Sequence, residues 1–277
     1  MMELLILTDI HDTWVHLKKM LQLAEEKDGV IFLGDLMTFR KFTPKSITNL
    51  TEVKEASKWM VGIPGNGPVP RVREFLNSLG INLHGKGRII DDIGFFGVGG
   101  VQNTIQTISG IREFFKTQDT SSIPPNEQAM PTWNAFGISY EDGRFVVEDW
   151  TETDIAKMDV YTSPFENSEE RIHEILVTAY AQIEPASLKI ALSHVPPFEP
   201  GVIPAFPIGV STGSKSIARF IEENEVDYSL SGHFHQHYSF YLRTTECVIV
   251  PAVLNGYYAI LSVDPDSKKF DTRICKF

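Results

Sequence analysis

The chain has 277 residues, 42% of them hydrophobic, enough to bury a large core. Its 25 Lys and Arg against 36 Asp and Glu give a net charge of −11, which excludes a general electrostatic attraction for nucleic acid or an anionic membrane surface. Cys247 and Cys275, its only cysteines, are too few for a disulfide scaffold and show no zinc-type spacing, so a cytoplasmic location is the expectation.

The opening "MMELLILTDI" holds a short apolar run with an acid at Glu3 and no basic region before it, and reads as neither a signal peptide nor a membrane span. The run "ELLILTD" predicts a first strand, "GVIFLGD" (29 to 35) a second and "VGIPGN" (61 to 66) a third. Between the first two, Leu17, Met20, Leu21 and Ala24 fall at helical spacing. The next connection carries "TEVKEASKWM", rich in helix formers. Such a β-α-β-α-β order argues for parallel strands joined by right-handed crossovers.

Beyond Gly100 the pattern weakens. Residues 101 to 165 contain a loop-like stretch, "TQDTSSIPPNEQAMP", and two alternating runs flanking Asp142-Gly143 that predict a hairpin. Helical order returns at "NSEERIHEILVTAY", with Asn167 as the expected cap and apolar positions at 172, 175, 176 and 179. A strand "KIALSH" (189 to 194), a helix "GSKSIARFIEEN" and a strand "DYSLSGH" (227 to 233) follow, and four short strands close the chain. The expected organisation is a single domain over 1–277 with an insertion at about 101–165, serving as a lid or wall beside the site or as a homo-oligomer contact.

Polar residues of one kind recur at one structural place. Asp9 and His11 follow the first strand, Asp35 the second, Asn66 the third, His194 follows "KIALS", and His233 and His235 follow "DYSLS". Ligands of open α/β sheets bind at the carboxyl ends of strands, so these seven residues should converge. A set of His, Asp and Asn with no thiolate suits Mn, Fe or Zn; it is too large for one tetrahedral ion, and two ions sharing a carboxylate would use it all.

The blocks Asp9-Ile10-His11, Gly34-Asp35, Gly65-Asn66, Ser193-His194 and Gly232-His233-Phe234-His235 stand in the order and rough spacing of the calcineurin-like metallophosphoesterases, which the chain resembles over roughly residues 1–100 and 165–263. The likeness extends to "LHGKG" (83 to 87), "FFGVGG" (95 to 100), "HVPPF" (194 to 198) and "TGSKSIARFIEE" (212 to 223). It implies an α/β sandwich of two mixed sheets flanked by helices in four layers. It also implies two divalent metal ions, one held by Asp9, His11 and His235, the other by Asn66, His194 and His233, with Asp35 bridging. The implied reaction is hydrolysis of a phosphomonoester or phosphodiester by a metal-bridging hydroxide, the substrate being a small phosphorylated molecule. Membranes and long nucleic acid are not expected partners. The rival reading is a non-catalytic or weakly catalytic metal-binding scaffold on the same fold; the full set of seven ligands favours the enzyme.

One position departs from the family pattern. The usual Gly-Asn-His becomes Gly65-Asn66-Gly67, so the imidazole that would protonate the leaving group is missing. His84 is the candidate to stand in for it, with His16 and His237 as alternatives.

Overall fold

A computed structural model describes residues 1–37, 43–65, 69–100, 112–113, 115–116, 138–142, 144–149, 168–200 and 213–277. Strand β1 (Met2–Leu7) shows how the layers arise. Side chains alternate between the faces of a strand, so Leu5 and Leu7 pack with one hydrophobic cluster and Leu4 and Ile6 with another. All four are fully buried, at about 1.5–3 kcal/mol of transfer free energy each.

On one side β1 pairs in parallel with β2 (Gly29–Phe32), which pairs in parallel with β3 (Met60–Gly62). The five-stranded first sheet is completed by the C-terminal pair, β12 (Tyr257–Asp264), antiparallel to β1, and β13 (Lys269–Lys276) at the edge. The second sheet has six strands. Its order runs β10 (Tyr238–Leu242), β11 (Thr245–Ile249), β9 (Tyr228–Ser231), β8 (Leu188–Ser193), β5 (Ile93–Val98) and β4 (Gly87–Ile90). Parallel pairs β5–β8, β8–β9 and β9–β11 form its centre, with an antiparallel pair at each edge.

Leu4, Ile6, Ile31 and Val61 from the first sheet meet Phe95, Leu188, Ile190, Leu230 and Val248 from the second in one cluster between the sheets. The outer face of the first sheet is covered by α1 (Leu17–Glu26), α2 (Pro44–Ala56) and α3 (Val69–Ser78), through Met20, Leu50, Val53 and Leu76. The outer face of the second is covered by α4 (Glu169–Ala181) and α5 (Lys215–Glu223), through Ile172, Leu176, Phe220 and Ile221. The four-layer α/β sandwich of two mixed sheets is therefore the observed fold, and no helix among the described residues is long and apolar enough to cross a membrane.

Two local expectations change. Helix α2 starts at Pro44, ahead of the stretch read as helical, and stops at Ala56, because Met60 already belongs to β3. Its Pro44 sits in the first turn, where a missing N–H costs nothing. The cap of α4 is Ser168, whose Oγ accepts from Arg171 N at 3.1 Å, rather than Asn167, which lies outside the described residues. Within the 101–165 segment, β6 (Ile138–Glu141) and β7 (Arg144–Val147) pair antiparallel, with Asp142 at φ 48° in the connecting turn.

Candidate metal centre

The loops that follow β1, β2, β8 and β9 are stitched together by their own backbones. Asp9 N donates to Gly34 O (3.0 Å), His11 N to Asp35 O (3.0 Å) and Gly232 N to His194 O (3.1 Å). Five of the seven expected ligands take up left-handed backbone angles there: Asp9 (φ 51°), His11 (47°), Asp35 (50°), His233 (72°) and His235 (58°). A non-glycine residue in that region costs about 1 kcal/mol or more, and such residues collect where side-chain direction matters more than local stability.

Asp9 is fully buried, and its two oxygens have different surroundings. Oδ2 accepts from the Thr8 hydroxyl (2.6 Å) and from His233 N (3.0 Å). Oδ1 is buried with no hydrogen-bond partner and stands 3.4 Å from His235 Nε2 and 3.8 Å from His11 Nε2. The Nε2 atoms of His11 and His235 are themselves 3.2 Å apart. Three donor atoms thus converge on one point, and an unsatisfied buried carboxylate oxygen among them is what a cation would neutralise.

A second convergence shares Asp9 with the first. Asp9, Asp35 and His194, all buried, bring ligand atoms within reach of one another. Oδ2 of Asp35 lies 3.5 Å from Nε2 of His194 and 3.5 Å from Nε2 of His11. His194 Nδ1 is 2.8 Å from the Leu33 carbonyl, and donating to it fixes the ring so that Nε2 is turned toward Asp35. The His233 ring sits beside that of His194, with centroids 5.1 Å apart. Donors bound about 2.1 Å from a shared ion lie about 3.0–3.5 Å from one another at octahedral to tetrahedral angles, so these separations suit first-row divalent metals.

The electrostatics of the cluster match that need. Burial pushes the carboxyl of Asp35 upward, but His194, His11 and His233 outweigh it and hold the group well below the usual range. Asp9 is likewise lowered against its burial, by His235 and His194. Burial works to lower His194, yet the Asp35 charge lifts it to about 9. His235 is raised too, against its burial, by Asp9, while burial and the neighbouring His194 push His233 down to about 4. Two buried carboxylates stay ionised because positive charge on the neighbouring imidazoles compensates them, the kind of pairing a cation would also satisfy.

Asn66 lies outside the described residues, as does Gly67. His84 does not join either cluster of ligand atoms; its Nδ1 accepts from Gly99 N at 3.0 Å, and burial, with Arg73 adding to it, pushes its pKa down to about 4. His16 stacks on Phe277 and His237 Nδ1 donates to the Ile249 carbonyl at 3.1 Å, and neither is a member of the two ligand groups among the described residues. Thr8 escaped the reading of the sequence, and Gly65 and Gly232 stood in the quoted blocks without a role assigned to them. Thr8 orients Asp9, and Gly65 and Gly232 make room: a Cβ on Gly65 would stand 2.0 Å from Asp35 Oδ1, and one on Gly232 2.6 Å from Asp9 Oδ2. Glycine directly before Asn66 and before His233 was the available signal.

A sequence profile described as calcineurin-like phosphoesterase matches residues 2–237. Among curated proteins, none matches the chain in sequence. Solved structures similar to it include TT1561 of Thermus thermophilus, at 14% identity and a TM-score of 0.61, with 98% of each chain covered. A phosphopantetheinyl hydrolase from Mycobacterium tuberculosis aligns at 13% identity and a TM-score of 0.50, over 90% of this chain and 89% of that one. A 5'-nucleotidase-like protein from Staphylococcus aureus, so titled with α-ketoglutarate bound, aligns at 12% identity and a TM-score of 0.51, over 99% of this chain and 53% of that one. At these identities the likeness shows the fold alone.

Proposed function

The chain belongs to the calcineurin-like phosphoesterase family and is a metal-dependent phosphoesterase; from that premise we propose that it hydrolyses a small phosphomonoester or phosphodiester at a two-ion centre. Asp9, His11 and His235 would hold one ion, Asn66, His194 and His233 the other, and Asp35 would be shared. The observation that carries this reading is the single Asp35 oxygen standing 3.5 Å from both His11 Nε2 and His194 Nε2, as a bridging ligand requires. The donors are nitrogen and oxygen only, which fits Mn, Fe or Zn. Divalent ions bound there supply Lewis acidity to a phosphoryl oxygen and lower the pKa of a coordinated water.

The protein's own part is orientation. Thr8 and the amide of His233 hold one Asp9 oxygen so that the other faces the cluster, and the Leu33 carbonyl fixes the His194 ring. Residues already locked in position need no rearrangement as charge develops on the phosphoryl group. In so acidic a chain, ions held by these residues would also supply the local positive field that an anionic substrate needs. A screen of purified Mn²⁺-loaded protein against nucleotides, cyclic nucleotides, phosphodiesters and sugar phosphates, with metal analysis of the same sample, tests the reading. Turnover of at least one class with two equivalents of metal supports it. Metal binding without turnover of any class would favour a scaffold instead.

A further inference from the structure

One 3₁₀ turn, Val253–Asn255, is bonded to two of the three residues in the first group of ligands. Val253 N donates to Thr8 O (3.0 Å) and Leu254 N to Asp9 O (3.1 Å), which fixes the turn against the loop after β1. Asn255 Nδ2 donates to the carbonyl of His235, in the loop after β9, at 3.3 Å. The turn does not need that side chain for its own shape. Gly256 takes the left-handed position (φ 78°), and the internal bonds are made by the backbone, from Asn255 N to Ala252 O (3.1 Å) and from Gly256 N to Val253 O (2.8 Å). What the Asn255 amide adds is a tie between the ligand loop of the first sheet and that of the second.

His235 is the ligand that most needs such a hold. Its side chain is 34% exposed, against 18% for His11 and 0% for Asp9, so packing restrains it least. Its backbone sits at φ 58°, a conformation that a non-glycine residue keeps only where contacts impose it. Asp9 has Gly34 O on its N–H, Leu254 N on its carbonyl and the Thr8 hydroxyl on its carboxylate, and His11 has Asp35 O on its N–H. Among the described residues, the backbone of His235 is hydrogen-bonded by the Asn255 amide alone. The loop's next anchors lie to either side, at Phe234 N on Gly232 O (2.9 Å) and at the His237 ring on Ile249 O (3.1 Å).

We infer that Asn255 is a positioning residue for one of the two metal positions: its amide keeps the His235 ring beside Asp9 Oδ1 and His11 Nε2, and so sets how tightly that position holds its ion, without setting the affinity of the position at His194 and His233. This rests on the two-ion reading above. Asp9 and Asp35 each stand close to ligands of both positions, so a change at either acts on both. Among the described residues, His235 is the one ligand to which Asn255 hydrogen-bonds, so its loss should act on one position. Removing an outer partner that orients a metal ligand typically costs 10- to 100-fold in metal affinity, and a single exposed amide belongs at the lower end, about tenfold.

The experiment titrates buffered Zn²⁺ into the metal-stripped full chain, isotope-labelled at its histidine ring nitrogens, as wild type, Asn255→Ala and Asn255→Leu. Nuclear magnetic resonance of the ring nitrogens reports each ligand separately, elemental analysis gives the equivalents bound, and Tm before metal is added reports global stability. Alanine removes the donor and its bulk; leucine, with the branched shape of asparagine, removes the donor alone. In both variants His235 and His11 should need about tenfold more free Zn²⁺ than in wild type to reach half saturation, while His194 and His233 stay within about threefold. Tm before metal is added should fall by no more than about 3 °C. Unchanged saturation of His235, an equal loss at all four histidines, or wild-type behaviour restored by leucine overturns the inference. A wild type in which all four histidines saturate together with one equivalent of Zn²⁺ removes the two-ion reading. The role of Asn255 is then decided by whether His235 alone drops out of that single site in the variants, which supports it, or stays in, which overturns it.

Discussion

Asp35 offers its Oδ2 to His194 Nε2 at 3.5 Å, a separation long for a hydrogen bond and suited to two ligands of one ion. The same oxygen is equally far from His11 Nε2, so one atom lies within reach of a ligand nitrogen from each cluster, while Asp9 is the residue that the two clusters share. Asp35→Asn keeps the shape but removes the charge that binds both imidazoles. The expected result is loss of most bound metal and a fall in turnover of at least 10²-fold, because a weakened shared ligand disturbs two positions at once. Elemental analysis beside a rate assay checks it; two equivalents of metal with normal turnover would remove the two-ion reading.

Gly232 precedes His233, and a Cβ there would sit 2.1 Å from Thr8 Oγ1 and 2.6 Å from Asp9 Oδ2. Gly232→Ala must therefore push away Thr8 and the Asp9 carboxylate that Thr8 orients. Overpacking of this kind typically costs about 1–3 kcal/mol of stability, and metal affinity should fall at least tenfold on top of it. Thermal denaturation with and without Mn²⁺ separates the two: the metal-dependent rise in Tm should shrink in the variant. A full metal-dependent rise would show that the Thr8–Asp9 pair is not held as tightly as its geometry implies.

Much of this site was legible because each ligand stands at the end of an apolar run. "ELLILT" and "GVIFLG" stop at Asp9 and Asp35, and a strand end at a sheet's carboxyl edge is where chemistry collects. What escaped depends on contacts distant in sequence. The buried face of α2 carries Ser46 and Asn49, so its start shows no apolar period; Ser46 Oγ accepts from Trp14 Nε1 (2.7 Å) and donates to Asp12 (2.6 Å), partners more than thirty residues away. Asn167 and Ser168 are equally good caps on local chemistry. The register of α4 goes with Glu169 and its bonds to Ser214 and Ser216, which no local pattern contains.

The sequence has Gly67 where the family resemblance leads one to expect histidine, and on that expectation the departing oxygen lacks an imidazole. His84, the expected stand-in, has its Nδ1 engaged by Gly99 N and its pKa pushed down to about 4, an environment that favours the neutral ring at neutral pH. General acid catalysis contributes typically 10²- to 10⁴-fold, so the rate should depend steeply on leaving-group pKa, with aryl phosphate esters turned over far faster than alkyl ones. A series of aryl and alkyl esters gives the slope. A flat series would mean that another residue protonates the leaving group.

His84 also makes a prediction about stability that needs no substrate. Its burial holds the folded-state pKa at about 4, below the ordinary 6.5, so the folded protein resists a proton that the unfolded chain accepts. Above pH 6.5 the ring is neutral in both states and has no effect. As pH falls from 6.5 toward 4, the unfolded chain binds one more proton than the folded one, and stability declines; below about 4 both forms are protonated and the loss levels off. Over the whole window the loss amounts to at most ~3 kcal/mol. His84→Asn retains an acceptor for Gly99 N but cannot titrate, so the difference in unfolding free energy between wild type and variant should change across this window and be flat above it. Urea unfolding of both proteins at about pH 7.5, 6, 5 and 4 measures that difference. A difference that is constant with pH would show that His84 takes up its proton in the folded protein as readily as in water, and that its contact with Gly99 does not depend on a neutral ring.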